Sequence, residues 1–177
     1  ATRTFLQGSD YTRYGTMTMF IHGGNPSSAN FETNFPAPVD SLIRDTQVEL
    51  FARFSPINED TLNFYEYQTK VYQGWAPEDN TARIDLELLS QLKGQLLDLQ
   101  SARTPSDTLT LSLERGEFRA LYNLESNRIE TQVDGKTYVV RGNPALSSIK
   151  SFTIGVRNLS DIEPISGKNE IWINELR

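Results

Sequence analysis

The clearest structural signal in the sequence is IETQVDGKTYVVR, residues 129–141. At its centre stands Asp134-Gly135, a dipeptide favoured in two-residue β-turns because both turn positions need a positive φ. The flanking runs, 129–133 and 137–141, are rich in β-branched and aromatic residues, which favour strands. This stretch therefore predicts a β-hairpin and indicates a fold built from antiparallel strands.

The same alternation of apolar and polar residues recurs along most of the chain. Its further segments are residues 16–22, 48–54, 63–72, 109–113, 118–124, 151–156 and 170–176. In the first of them, Met17, Met19 and Ile21 share one face. Turn-forming residues separate the segments. About eight to ten short strands joined by turns predict a mainly β fold, a jelly-roll-like antiparallel β-sandwich.

One segment departs from this alternation and carries leucines at helical spacing. These leucines are Leu88, Leu89, Leu92, Leu96 and Leu99. Asp85 or a neighbour could cap the start, while Gly94 lies inside and weakens the helix. We expect one short helix over residues 87–99, packed across a sheet edge. A single helix argues against a parallel βαβ sheet.

The length of 177 residues suits one domain, spanning residues 1–177. The net charge of −6, from 17 basic and 23 acidic side chains, argues against nucleic-acid binding. No apolar run is long enough to span a bilayer. The chain begins without Met and ends abruptly, so we interpret it as a domain excised from a larger protein.

The sequence offers little for catalysis. Cysteine is absent and His22 is the single histidine, so zinc and a Cys nucleophile are not expected. His22 ends a predicted strand, where we expect a structural hydrogen bond. Nucleophile-elbow and phosphate-loop motifs are absent, and a hydrolase would need a cleft with paired carboxylates that the sequence cannot place. We therefore predict a protein that is not an enzyme and has no cofactor.

Calcium is the metal that scattered loop oxygens could bind. Asp10, Asn174 and Glu175 would be the ligands if the first and last strands were neighbours. No EF-hand spacing supports such a site. The sequence therefore predicts no bound metal.

Four aromatic residues, Tyr65, Tyr67, Tyr72 and Trp75, are candidates for binding a glycan or a partner protein. Aromatic rings stack on the apolar faces of sugars, and Tyr65 and Tyr67 point the same way on a strand. The alternative is that the rings fill the core, with their hydroxyl groups satisfied near its edge. The sequence leaves both interpretations open.

Several segments, taken in order, resemble the SprA-like gliding-motility proteins of the Bacteroidetes. They are SDYTRYGTMTMFIHG (9–23), LNFYEY (62–67), WAPE (75–78), IDLELL (84–89), VRGNPAL (140–146), IGVRN (154–158) and EIWINELR (170–177). The resemblance covers nearly the whole chain and is weakest at residues 25–46 and 100–135. No single segment is specific for this family, but the order and the spacing of all the segments together are specific.

The resemblance implies that the parent is a very large outer-membrane protein, the translocon pore of the type IX secretion system. This chain would be a soluble domain of it at the cell surface, either extracellular or periplasmic, and would not itself span the membrane. It would act as a structural or protein-docking module, and its partners would be other translocon components or secreted cargo proteins. The resemblance supplies no catalytic residues. The terminal strand also looks like the closing strand of jelly-roll carbohydrate-binding modules, so glycan binding is the alternative function.

Overall fold

The computed structural model describes residues 2–24, 48–57, 60–75, 77–114, 116–159 and 171–174. These residues form strands, one α-helix and one 3₁₀ turn at Leu146–Ser148. The elements are β1 (Thr2–Ser9), β2 (Thr16–Gly23), β3 (Val48–Ser55), β4 (Phe64–Lys70), β5 (Thr81–Asp85), α1 (Leu86–Ser101), β6 (Asp107–Leu113), β7 (Gly116–Asn123), β8 (Arg128–Val133), β9 (Lys136–Arg141), β10 (Ile149–Asn158) and β11 (Ile171–Asn174). The predicted class is confirmed: the described residues are mainly β, with antiparallel sheets and one helix, which is consistent with a β-sandwich.

The described strands form two sheets. The larger has the order β1-β10-β3-β4-β9-β8-β7-β6, and the smaller has the order β11-β2-β5. The predicted hairpin joins β8 to β9, with Val133 opposite Lys136. Asp134 and Gly135 form its turn at φ 51° and 72°, the positive values that this turn needs.

The chain divides into two compact units, each assembled from three separate stretches. Unit 1 comprises Ala1–Thr16, Ala52–Gln68 and Asp85–Ile154, and unit 2 comprises Met17–Phe51, Thr69–Ile84 and Gly155–Arg177. The assignment of residues 1–177 to one domain stays a prediction.

In unit 1, the helix α1 begins where the sequence indicated. Asp85 is its N-cap, and its Oδ1 accepts a hydrogen bond from the Leu88 N–H at 3.0 Å. The helix runs to Ser101, slightly beyond the predicted end at residue 99. No helix in the described part of the chain combines the length and the apolarity needed to cross a membrane.

The helix α1 packs mainly on β8 and β9, which are interior strands, whereas the sequence predicted packing across a sheet edge. It also reaches the end of the edge strand β6, where the Gln91 Oε1 accepts the Glu114 N–H at 3.3 Å. The helix packs on β8 and β9 because alternate residues of these two strands form an apolar face. Ile129, Tyr138 and Val140 lie on this face and are buried. The helix therefore covers the middle of the sheet, where the most apolar area is available.

Unit 2 contains β2 as the central strand of the smaller sheet. Its residues alternate between buried and accessible along its length. Met17, Met19 and Ile21 are buried, as the alternation predicted, and the side chains between them face outward. The smaller sheet therefore has one core-facing side and one accessible side.

Replacing Gly94 with alanine should raise the free energy of unfolding by about 0.5–1 kcal/mol, because glycine is a poor helix former. Gly94 is exposed within α1, and a Cβ built there meets no atom within 4 Å. Urea denaturation of the variant and of the wild type measures the change. A lower stability of the variant would contradict the expectation that alanine is accommodated at this position.

Candidate functional site

Both tryptophans and the single histidine of the chain meet in unit 2. The His22 and Trp172 rings stack, with centroids 5.1 Å apart and planes at 24°. Trp75 meets His22 edge to face, with centroids 5.0 Å apart and planes at 61°. These distances lie in the range of favourable aromatic pairs. We call His22, Trp75 and Trp172 the tryptophan cluster.

The pairing of β2 with β11 creates half of this cluster. The two strands run antiparallel, with Trp172 directly opposite His22 and Asn174 opposite Phe20. Directly opposed side chains lie on the same face of a sheet. Because Ile21 points into the core, its neighbours Phe20 and His22 point outward. Trp172 and Asn174, which lie opposite them, are therefore on the same accessible face.

A clamped loop after β4 supplies Trp75. Gly74 adopts φ +69°, and its N–H and C=O exchange hydrogen bonds with Gly23 at 2.9 and 3.2 Å. The buried Asn80 side chain holds the same loop. Its Nδ2 donates to the carbonyl oxygens of Tyr72 at 2.8 Å and Gly74 at 2.7 Å, and its Oδ1 accepts the Tyr72 N–H at 2.8 Å. Trp75 therefore stands on a backbone that is fixed to the end of β2.

The cluster is accessible despite its internal contacts. Trp75 is 45% exposed and Trp172 is 53% exposed, and Phe20, on the same face of β2 as His22, is exposed as well. Large apolar side chains grouped at a surface mark interaction sites more often than isolated ones do. The arrangement offers broad ring surfaces held by strands, with the side chain of Asn174 as a polar neighbour.

His22 has a different environment from the one the sequence predicted. Its Nδ1 is buried and has no hydrogen-bond partner among the described residues, so the expected hydrogen bond at the strand end is absent at this atom. The ring instead separates the two tryptophans. In the neutral form, one ring nitrogen donates and the other accepts, and a buried Nδ1 without an acceptor favours the tautomer with the proton on Nε2. His22 thus acts as an aromatic spacer in the cluster.

The structure separates the four predicted aromatic candidates. Tyr65 is 2% exposed and Tyr67 is 0% exposed, so neither can contact a glycan or a partner. The Tyr65 hydroxyl group donates to the Pro144 carbonyl at 3.0 Å, and burial raises the pKa of Tyr65 to about 12. Tyr72 is half-buried in the clamped loop, and only Trp75 has a widely exposed side chain. Of the two interpretations that the sequence left open, burial supports the core for Tyr65 and Tyr67.

The calcium site is conditional on the first and last strands being neighbours in a sheet. Among the described strands, β1 pairs with β10 and β11 pairs with β2, so this pairing is not present. The Asp10 carboxylate instead accepts hydrogen bonds from the Thr12 hydroxyl at 2.6 Å and the Thr12 N–H at 2.9 Å, which lower the pKa of Asp10. Glu175 lies outside the described residues. Within the described ranges, no three His, Cys, Asp or Glu side chains are grouped as metal ligands.

Trp172 is the site residue that sequence reasoning missed. It alternates with Ile171 and Ile173, and this pattern shows only that Trp172 occupies the opposite face of its strand. The signal that could have identified it is composition, because the chain has only two tryptophans and one histidine. Their meeting depends on the β2–β11 register, which alternation does not determine.

A mainly β protein that presents a clustered aromatic surface is thus the class that the fold and the site define. Comparison with protein-family models, with curated proteins and with solved structures finds no match for this chain.

Proposed function

We propose that this chain is a non-catalytic docking domain of a SprA-like outer-membrane protein of the type IX secretion system. The tryptophan cluster is the docking surface. The observation that supports a docking role is the grouping of two half-exposed tryptophans on one strand-supported surface. The order of the seven resembling segments supports the family.

Physical chemistry favours a partner at this surface. Tryptophan is the residue type most enriched among those that dominate binding energy, because its large rigid ring buries much area at little entropic cost. Trp75 and Trp172 are held by paired backbone on β2, so little further ordering would be required on binding. The cluster is therefore preorganised for a protein surface that offers an apolar recess.

Under this proposal the domain lies at the outer membrane, facing the exterior or the periplasm. Its partners are other translocon components or secreted cargo proteins. Three of the resembling segments supply the cluster, since His22, Trp75 and Trp172 each lie in one of them. This coincidence supports linking the family to the docking surface.

Alanine at both Trp75 and Trp172 should reduce type IX secretion and gliding at least about tenfold, because each aromatic anchor contributes on the order of 2 kcal/mol to binding. The substitutions are made in the full-length parent protein of a gliding bacterium, and secreted protein and colony spreading are measured. The amount of parent protein in the outer membrane is measured in the same cells.

The matched control is Leu121→Ala, which removes a side chain that is 54% exposed and belongs to unit 1, whereas the cluster belongs to unit 2. Secretion should be unchanged in this variant. Normal secretion in the double tryptophan variant, at normal protein levels, would contradict the docking role.

Glycan binding is the second candidate, and the exposed rings of Trp75 and Trp172 favour it, because such rings stack on sugars. A glycan array of the isolated chain, followed by titration of tryptophan fluorescence, tests it. Saturable quenching that Trp172→Ala abolishes would support a carbohydrate-binding module. A blank array, together with the secretion defect described above, would favour protein docking.

A further inference from the structure

The strand β6 ends the larger sheet, where its only paired neighbour among the described strands is β7. An edge strand exposes backbone N–H and C=O groups that can pair with another chain. Proteins usually protect such edges with charges, prolines or bulges. Residues 108–113, TLTLSL, contain no charged residue, no proline and no glycine. Among the described residues, β6 is therefore a regular edge whose single charged residue, Asp107, stands at its start.

The β6–β7 hairpin register shows which backbone groups face outward. Leu113 pairs with Gly116 across a two-residue loop, and the residues flanking such a loop form a hydrogen-bonded pair. Backbone groups of alternate residues face the same side of a strand. Leu109 and Leu111 therefore bond to β7, while Thr108, Thr110 and Ser112 direct their backbone groups to the open edge.

A hydrogen bond at the start of β6 agrees with this assignment. The Thr108 N–H is bound by the Asp107 carboxylate at 2.6 Å, so this N–H is directed away from β7. At the opposite end of the sheet, β1 is protected. It carries Arg3, and its register with β10 is irregular between Thr4 and Ser9. Of the two edge strands of the larger sheet, only β6 presents a regular row of backbone groups with which another strand could pair.

We propose that β6 pairs antiparallel with β6 of a second copy of this chain, about a two-fold axis at Thr110. In this register Thr110 faces Thr110, Thr108 faces Ser112, and Leu109 faces Leu111. Hydroxyl pairs and apolar pairs stabilise antiparallel strands, and Asp107 faces Leu113, so no like charges are opposed within the strand. The outward-facing residues 108, 110 and 112 lie symmetrically about the axis, so their backbone groups meet as hydrogen-bonded pairs.

The side chains of β6 also fit a second copy. Leu111 is buried, while Leu109 and Leu113 are half-buried on the same face. Pairing would extend this row of leucines into the second copy and bury the two half-exposed members further. Thr108, Thr110 and Ser112 are exposed and would form a hydroxyl ladder on the opposite face. Sheet continuation by a second copy thus matches both faces of the strand.

Single cysteines test the register, because the wild-type chain has no cysteine. Thr110→Cys should form a covalent dimer under mild oxidation or with a short thiol cross-linker. Thr108→Cys should do so much less, since the two copies of residue 108 would stand about 13 Å apart along the strands. Thr61→Cys, at an exposed position outside β6, is the control. Equal cross-linking at all three positions would overturn the proposal.

Sedimentation of the 177-residue chain over a range of concentrations tests the association itself. Wild type should show a reversible dimer, and Thr110→Lys should raise its dissociation constant at least about tenfold, by placing two like charges together. Thr61→Lys adds the same charge elsewhere and should leave the dimer unchanged. A wild-type chain that remains monomeric at about 0.5 mM, a concentration that detects even weak association, would overturn the proposal.

Discussion

Replacing Arg53 with alanine is expected to lower the free energy of unfolding by up to about 3–5 kcal/mol, because the substitution removes a cation that pairs with a buried carboxylate. Glu66 is 2% exposed. Its Oε2 accepts from Arg53 Nε at 2.7 Å and lies 2.6 Å from Arg53 Nη2, while its Oε1 accepts from Gln68 Nε2 at 2.7 Å. The Arg53 guanidinium also lies 4.0 Å from the centroid of the Phe64 ring, so its removal leaves a packing defect as well.

The paired variant Arg53→Met with Glu66→Leu separates charge from packing. Replacing both members of a buried ion pair with apolar residues of similar size is often nearly neutral. The double variant should therefore be more stable than Arg53→Ala by at least about 2 kcal/mol in urea denaturation. A double variant that is less stable than the single one would contradict the claim that the loss of the Arg53–Glu66 charge pairing dominates.

Replacing Gly142 with alanine should cost about 2–4 kcal/mol, from an unfavourable backbone conformation and a steric overlap. Gly142 has φ +68°, a backbone conformation that residues other than glycine rarely adopt. An added Cβ would overlap the Leu62 carbonyl oxygen and the Asn63 side chain. Neither can move easily, since Asn63 Oδ1 accepts the Asn143 N–H at 3.0 Å and the Leu62 N–H is bound by Asp60.

Gly135→Ala is the matched control for this substitution. Gly135 has a similar φ of 72°, but a Cβ there meets no atom within 4 Å. The stability lost in Gly135→Ala should therefore come from the unfavourable backbone conformation alone and amount to about 1–2 kcal/mol. If thermal or urea unfolding gives the same loss at both positions, the overlap with residues 62 and 63 does not contribute.

The sequence predicted those parts of the fold that depend on local patterns. The turn at Asp134-Gly135, the cap at Asp85 and the helix all follow from residue types at fixed spacing. The placement of the helix does not, because it depends on which strands become neighbours. Alternation identifies the faces of a strand but not what covers each of them.

The sequence left the role of the tyrosines open for the same reason. Residues 64–67 are buried on both faces of β4, and this includes Glu66. The alternation of residue types there therefore did not indicate an exposed face. The tryptophan cluster escaped prediction for the converse reason. Its three residues come from distant segments, and only the pairing of β2 with β11 and the Gly74 loop brings them together.

The most direct test of the central claim is photo-crosslinking from the cluster in living cells. A photoreactive phenylalanine analogue replaces Trp172 in the full-length parent protein, and the same analogue at position 121 is the control for a similarly exposed site. The account predicts that irradiation at position 172 attaches a translocon component or a secreted protein, identified by mass spectrometry, and that position 121 does not. Identical products from both positions, or none from position 172, would contradict it.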